Sequence, residues 1–125
     1  MQFETTVKLF VADSPSEWIT SAIVCLYDRD RFTRDDHLGM NITNPYGEAV
    51  FRYTADDYMD LDDRIGGALP ELYVKVFDTD GNCVLSTRAD AERNAAPALI
   101  RIPVDRELAE RHHLIEPGTP ERPHA

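Results

Sequence analysis

Residues 22–53 read AIVCLYDRDRFTRDDHLGMNITNPYGEAVFRY. This stretch decides the fold: it parses as a strand, an acidic loop, a second strand, a tight turn and a third strand. Ala22, Val24 and Leu26 alternate with Ile23, Cys25 and Tyr27, the period-two pattern of extended chain. Both sets are fairly apolar, so this is a central strand or one covered on both faces. Asp28, Asp30, Asp35 and Asp36 follow, and charges cannot be buried without partners. In the turn Asn44-Pro45-Tyr46-Gly47, proline fixes φ and glycine supplies a conformation other residues avoid. Ala49, Phe51 and Tyr53 then share one face, with Glu48, Val50 and Arg52 on the other.

Towards the N-terminus, residues 5–12 form a strand with Val7, Leu9 and Val11 inward and Phe10 on the opposite face. Asp13-Ser14-Pro15-Ser16 breaks it, and Trp18 and Ile19 lead into a strand over 19–27. Towards the C-terminus, Thr54 caps a short helical segment that Gly66 and Gly67 end. Residues 70–78 are the clearest strand, with Leu72, Val74 and Val76 inside and Tyr73, Lys75 and Phe77 outside. Thr79-Asp80-Gly81-Asn82 makes a hairpin turn, and 83–87 is the return strand. A loop with one helical turn covers 89–97, and the last strand is 98–104, with Leu99, Ile100 and Ile102. Asp105 caps a short helix over 106–113. The remainder is Pro-rich and nearly without apolar residues, which predicts a domain over 1–113 and a disordered tail over 114–125. Seven short strands with turns between them predict an all-β sandwich with one or two short helices.

A chain of 125 residues is one domain in size and long enough to bury a core without staples. Hydrophobic residues at 42% and charged ones at 29% place it among globular proteins. The net charge of −10 repels phosphate backbones and anionic membrane surfaces, which argues against nucleic-acid and membrane partners. It favours basic proteins and cations. No apolar run is long enough to span a bilayer, and no basic stretch leads into an apolar one at the start. The expected compartment is the cytoplasm, or the exterior for a chain from which a leader has been removed. Cys25 and Cys83 show no metal or redox spacing and read as two unpaired thiols.

The order of motifs resembles a known family. Leu26-Tyr27-Asp28 and Asp30 are followed by Asp35-Asp36, Leu38-Gly39, then Thr43, Gly47 and Phe51. Leu72-Tyr73-Val74, Val76, Asp78 and Asp80-Gly81 come next. Over roughly residues 7–104 this resembles the transthyretin-like β-sandwich domains, including the nematode transthyretin-like family and bacterial peptidase-associated modules. The resemblance implies a seven-stranded antiparallel Greek-key sandwich of the prealbumin type, usually a binding or structural module. Some members of that fold are 5-hydroxyisourate hydrolases, which share an N-terminal histidine and a C-terminal Tyr-Arg-Gly-Ser. This chain has neither, so no catalytic residue is carried over.

The chemistry left to weigh is concentrated in a few places. Asp28, Asp30, Asp35 and Asp36 cluster hard oxygens of the kind calcium takes, while Arg29, Arg31 and Arg34 among them can neutralise the loop without a metal. A second acidic run, Asp56, Asp57, Asp60, Asp62 and Asp63, reads as the charged outer face of the helical segment or as a docking surface for a basic partner. His37 beside Asp36 is the one acid/base candidate. Tyr73, Phe77 and Tyr27 point away from the inferred core, to be covered by another segment or to serve a partner or self-association. The function expected is a non-catalytic binding or interaction module, with a calcium site at the acidic loop as an addition. It would work through a sheet edge or exposed aromatics, towards a protein partner or as a homo-oligomer. The alternative is a small-molecule pathway enzyme on the same scaffold, with His37 and Asp36 or a tyrosine as acid and base.

Overall fold

The computed structural model describes residues 2–30, 34–54, 71–93 and 98–116. Nine strands lie among them: β1 (Gln2–Val11), β2 (Ser14–Trp18), β3 (Ile23–Asp28), β4 (Asp36–Ile42), β5 (Glu48–Thr54), β6 (Glu71–Phe77), β7 (Cys83–Ser86), β8 (Glu92–Arg93) and β9 (Leu99–Val104). One α-helix follows, α1 (Arg106–Arg111). The strands form two sheets. In the first, β1 is central, with β2 and β5 antiparallel to it and β9 parallel to it. In the second the order is β4-β3-β6-β7, with β8 also on β6, and every pair is antiparallel.

The core lies between the sheets, where period-two alternation places it. Val7, Leu9 and Val11 on β1, Val24 and Leu26 on β3, and Leu72, Val74 and Val76 on β6 are all buried. Ala49, Phe51 and Tyr53 face them from β5, and Ile102 and Val104 from β9. Each such Val or Leu contributes roughly 1.5–3 kcal/mol by leaving water. The one large polar tip in this layer is satisfied: the Tyr53 hydroxyl lies 2.9 Å from Thr5 Oγ1. At the crossing from β4 to β5, Gly47 has φ +74°, and a Cβ there would stand 2.5 Å from the Leu9 carbonyl oxygen. Only glycine fits so close to the neighbouring backbone.

Three expectations are corrected. First, the sandwich is not wholly antiparallel, because β9 runs alongside β1 in the same direction. Parallel neighbours cannot be joined by a hairpin, and nothing local in either strand reports the pairing. Second, the break expected at 13–16 holds a short strand, and the strand expected over 19–27 begins only at Ile23. β2 pairs with β1 only at Phe10↔Trp18 and Val11↔Ser14, an edge position that tolerates Pro15. The chain then leaves the first sheet at buried Ile19, turns through Ser21 at φ 60°, and enters the second at Ile23. Third, the packed chain runs past residue 113. Leu114 is buried and Ile115 packs against the core.

Helix α1 starts where expected, with the Asp105 carboxylate accepting the Leu108 N–H. It stops earlier, at Arg111. His113 takes φ 59°, and Leu114 N–H and His113 N–H return to the Ala109 and Glu110 carbonyls, the Schellman ending. The helical segment expected after Thr54, with its second acidic run, lies outside the described residues, as does the tail from residue 117.

Candidate functional site

The acidic loop leaves the end of β3 and returns at the start of β4, beside the first residues of β6. Asp28 is buried, and its Oδ1 accepts the Glu71 N–H at 2.7 Å. Arg29 lies across the same edge. Its Nε and Nη2 donate to Glu71 Oε1 at 3.1 and 2.8 Å, and its Nη1 donates to the Arg88 carbonyl at 3.0 Å. Glu71 is itself buried, so this guanidinium supplies the partner that its charge needs.

Asp35 takes donors from three residues. Arg88 grips it through both oxygens, Nε to Oδ2 at 2.7 Å and Nη2 to Oδ1 at 3.2 Å. The Asp30 N–H donates to Oδ1 at 2.9 Å, and the Tyr73 hydroxyl donates to Oδ2. The Arg88 contact, followed by those from Tyr73 and Asp30, outweighs the cost of desolvation and holds the carboxyl well below the usual carboxylate range. Burial and the adjacent carboxylate push the Tyr73 hydroxyl well above its ordinary value, so it stays a donor.

Aromatic rings carry this arrangement across the outer face of the second sheet. Tyr73 and Tyr27, directly opposite on β6 and β3, stack at 5.1 Å with planes 10° apart. The His37 ring lies 5.1 Å from Tyr27 on the other side, and the Arg88 guanidinium sits 5.9 Å from the Tyr73 ring. Lys75 reaches over Tyr27 at 5.2 Å. The row is a clasp: it ties the loop after β3 to the turn after β7 and covers the sheet between. Tyr73, expected to point outward, does so, yet it is buried under this cover, and Tyr27 and Phe77 are half-buried.

The sequence-predicted ligands Asp28, Asp30, Asp35 and Asp36 are therefore neighbours along the loop, but Asp28 and Asp35 are turned towards protein donors. Among the described residues no three His, Cys, Asp or Glu side chains group around a point that could hold a metal. Calcium at this loop would have to compete with Arg88, Tyr73 and the Glu71 N–H. His37 is exposed and its ring lies against Tyr27. The second Asp-x-Asp turn is similar in kind: Asp78 Oδ1 accepts the Asp80 and Asn82 N–H groups, and its Oδ2 lies 2.7 Å from His112 Nδ1. His112, with the Asn82 and Asp80 amides, lowers the Asp78 carboxyl. Arg106 forks between Asp13 and Glu17 and anchors α1 to the first hairpin.

Several surface features were missed in the sequence. Among the described residues the exposed large apolar side chains are Trp18, Met40, Ile42, Tyr46 and Leu99. Trp18 and Tyr46 meet edge to face at 5.6 Å, and Lys8 lies 4.4 Å from the Trp18 ring. One cleft of about 440 Å³ separates Glu17, Trp18 and Thr20 from the segment 113–116. A larger one, about 600 Å³, opens between β7 and β9. His37 lines neither. Cys25 is buried and Cys83 exposed, both free. No described helix is long and apolar enough to cross a membrane.

No protein-family model matches this chain, and no curated protein matches it. Among solved structures, it is similar to the crystal structure of a 9R-lipoxygenase from Cyanothece PCC8801, with 17% identity and a TM-score of 0.50. The match covers 82% of this chain but only 17% of the lipoxygenase. At that identity the likeness is one of fold alone.

Proposed function

We propose that this chain is a non-catalytic β-sandwich binding module that engages a protein partner along its sheet edges. One observation carries the reading. Among the described residues, the five exposed large apolar side chains lie on edge strands or the turn beside one: Trp18 on β2, Met40 and Ile42 on β4, Tyr46 in the β4–β5 turn, and Leu99 on β9. Edges are where extended segments are recruited, and proteins without a use for them usually blunt them with charge. Asp28, Asp35 and Tyr73 are instead used to hold the loop. The transthyretin-like reading belongs here too. Without the short strands β2 and β8, seven strands remain, as β5-β1-β9 and β4-β3-β6-β7, a count and division that support it.

Size-exclusion chromatography with light scattering, followed by capture from the native host, tests the module. A discrete complex or homo-oligomer that weakens in Met40→Lys/Ile42→Lys or Trp18→Ala/Leu99→Lys supports it. A strict monomer that retains nothing counts against it. The calcium proposal for Asp28, Asp30, Asp35 and Asp36 has a separate readout, a rise in melting temperature with calcium that chelator reverses and Asp30→Asn/Asp36→Asn abolishes.

A further inference from the structure

Strand β9 has two sides, and among the described residues only one is paired. The Thr6 N–H donates to the Ala98 carbonyl and the Ala12 N–H to the Val104 carbonyl, each at 2.8 Å. With the parallel register from Thr6↔Leu99 to Val11↔Val104, this assigns the main-chain groups of residues 98, 100, 102 and 104 to β1. Those of Leu99, Arg101 and Pro103 point to the other side. Among the described residues no strand pairs there. Pro103 has no N–H, so the edge offers donors at Leu99 and Arg101 and stops.

The larger cleft runs along this edge. Leu85, Ile100 and Ile102 give it apolar walls, Ser86 and Thr87 line it with hydroxyls, and its charged lining residues are Asp90 and Arg101, the latter with its guanidinium against Phe10. We infer that the free edge of β9 and this cleft receive an extended, basic peptide segment of another protein. The segment adds a short strand through main-chain bonds at Leu99 and Arg101. It places an apolar side chain in the cleft and a lysine or arginine towards Asp90. This rests on the reading of the chain as a binding module and names the surface and the partner's chemistry.

Two observations choose this occupant over a second copy. An antiparallel pair of β9 strands centred on Arg101 would set Arg101 against Arg101 and Leu99 against Pro103. Like charges directly opposite are destabilising, and a proline removes one of the few bonds. Charge then selects the sign of the partner. The Arg101 guanidinium lies 4.8 Å from the Phe10 ring on the outer face of the first sheet, and the chain as a whole carries −10. A basic segment is drawn to it and steered by it.

The experiment is selection of ten-residue peptides from an unbiased display library on the intact chain, followed by fluorescence anisotropy of the synthesised peptides. Selected peptides are expected to carry an apolar residue and a lysine or arginine at alternate positions. Arg101→Pro, which removes an N–H that β1 does not use, should weaken them roughly tenfold, the loss of about one hydrogen bond. Asp90→Asn should weaken them less and flatten their salt dependence. Leu99→Pro serves as the second variant should Arg101→Pro unfold. Peptides that bind both proline variants as tightly as the wild type overturn the edge site and leave the binding-module reading intact. A library that yields no peptide overturns it as well, with the module then judged by light scattering and host capture. A self-association lost in Arg101→Pro overturns the choice of partner.

Discussion

The loop over 28–36 and the free edge of β9 are opposites in a way their composition conceals. The loop is dense with charge and looks reactive, yet Asp35 alone takes donors from Arg88, Tyr73 and the Asp30 amide. The edge Leu-Ile-Arg-Ile-Pro-Val looks like ordinary core strand, yet alternate residues present backbone that no described strand pairs. Capacity to bind depends on which groups remain unsatisfied, and a charged group is often the first to be satisfied.

The sharpest way to break this contrast is within β9 itself. Ile102→Pro removes a bond to β1 and a buried side chain, and should cost more than about 3 kcal/mol; urea unfolding measures it. In the loop, Asp28→Ala leaves the Glu71 N–H without its acceptor and should cost about 1–3 kcal/mol. Tyr73→Phe should cost about 1–2 kcal/mol, because Asp35 loses one donor and keeps the Arg88 fork. Both should show in thermal unfolding at neutral pH.

Acid provides a finer test. The folded Asp35 carboxyl lies below its unfolded value, which is about 3.9. Its contribution is therefore complete above the unfolded value and fades as pH falls through that value towards the folded one. The stability gap between wild type and Asp35→Asn should narrow as pH drops from 6 towards 3; a gap constant with pH would contradict the clasp. The smallest effect belongs to the edge: Arg101→Pro without ligand should change stability by about 1 kcal/mol or less, since its N–H pairs with no described group and only the exposed guanidinium contact with Phe10 is lost. Amide exchange should agree, fast at Leu99 and Arg101 and slow at Ile100 and Ile102.

Much of the sandwich could be read from local pattern. Alternation in residues 5–11 and 71–77 identified β1 and β6 with the correct faces, because one side chain in two meets the core. Asn44–Gly47 and Asp78–Asn82 announced their turns, and Asp105 its cap. β2 escaped notice because its proline argues for a break and only the edge position excuses it. The parallel partnership of β1 and β9 is a fact of register between distant segments. The loop's aspartates stand out in the sequence as clustered carboxylates, but the contacts they make were hidden. Apart from the Asp30 amide, the donors to Asp28 and Asp35 described above are Glu71, Tyr73 and Arg88, 38 to 53 residues away in the chain, so nothing in the loop itself reveals that they arrive. The exposed Trp18 and Tyr46 gave no signal, since aromatics next to strands usually read as core.

The pairing of β1 with β9 also bears on how the chain is made. Emerging from the ribosome, β1 can take β2 and β5 early on one flank, while its other flank waits for the last strand. Arg106 then fastens that end to Asp13, 93 residues upstream. Closure of so long a loop is slow, and until it happens the nascent chain exposes an apolar strand. Chaperone occupancy during translation should therefore persist until β9 has cleared the exit tunnel.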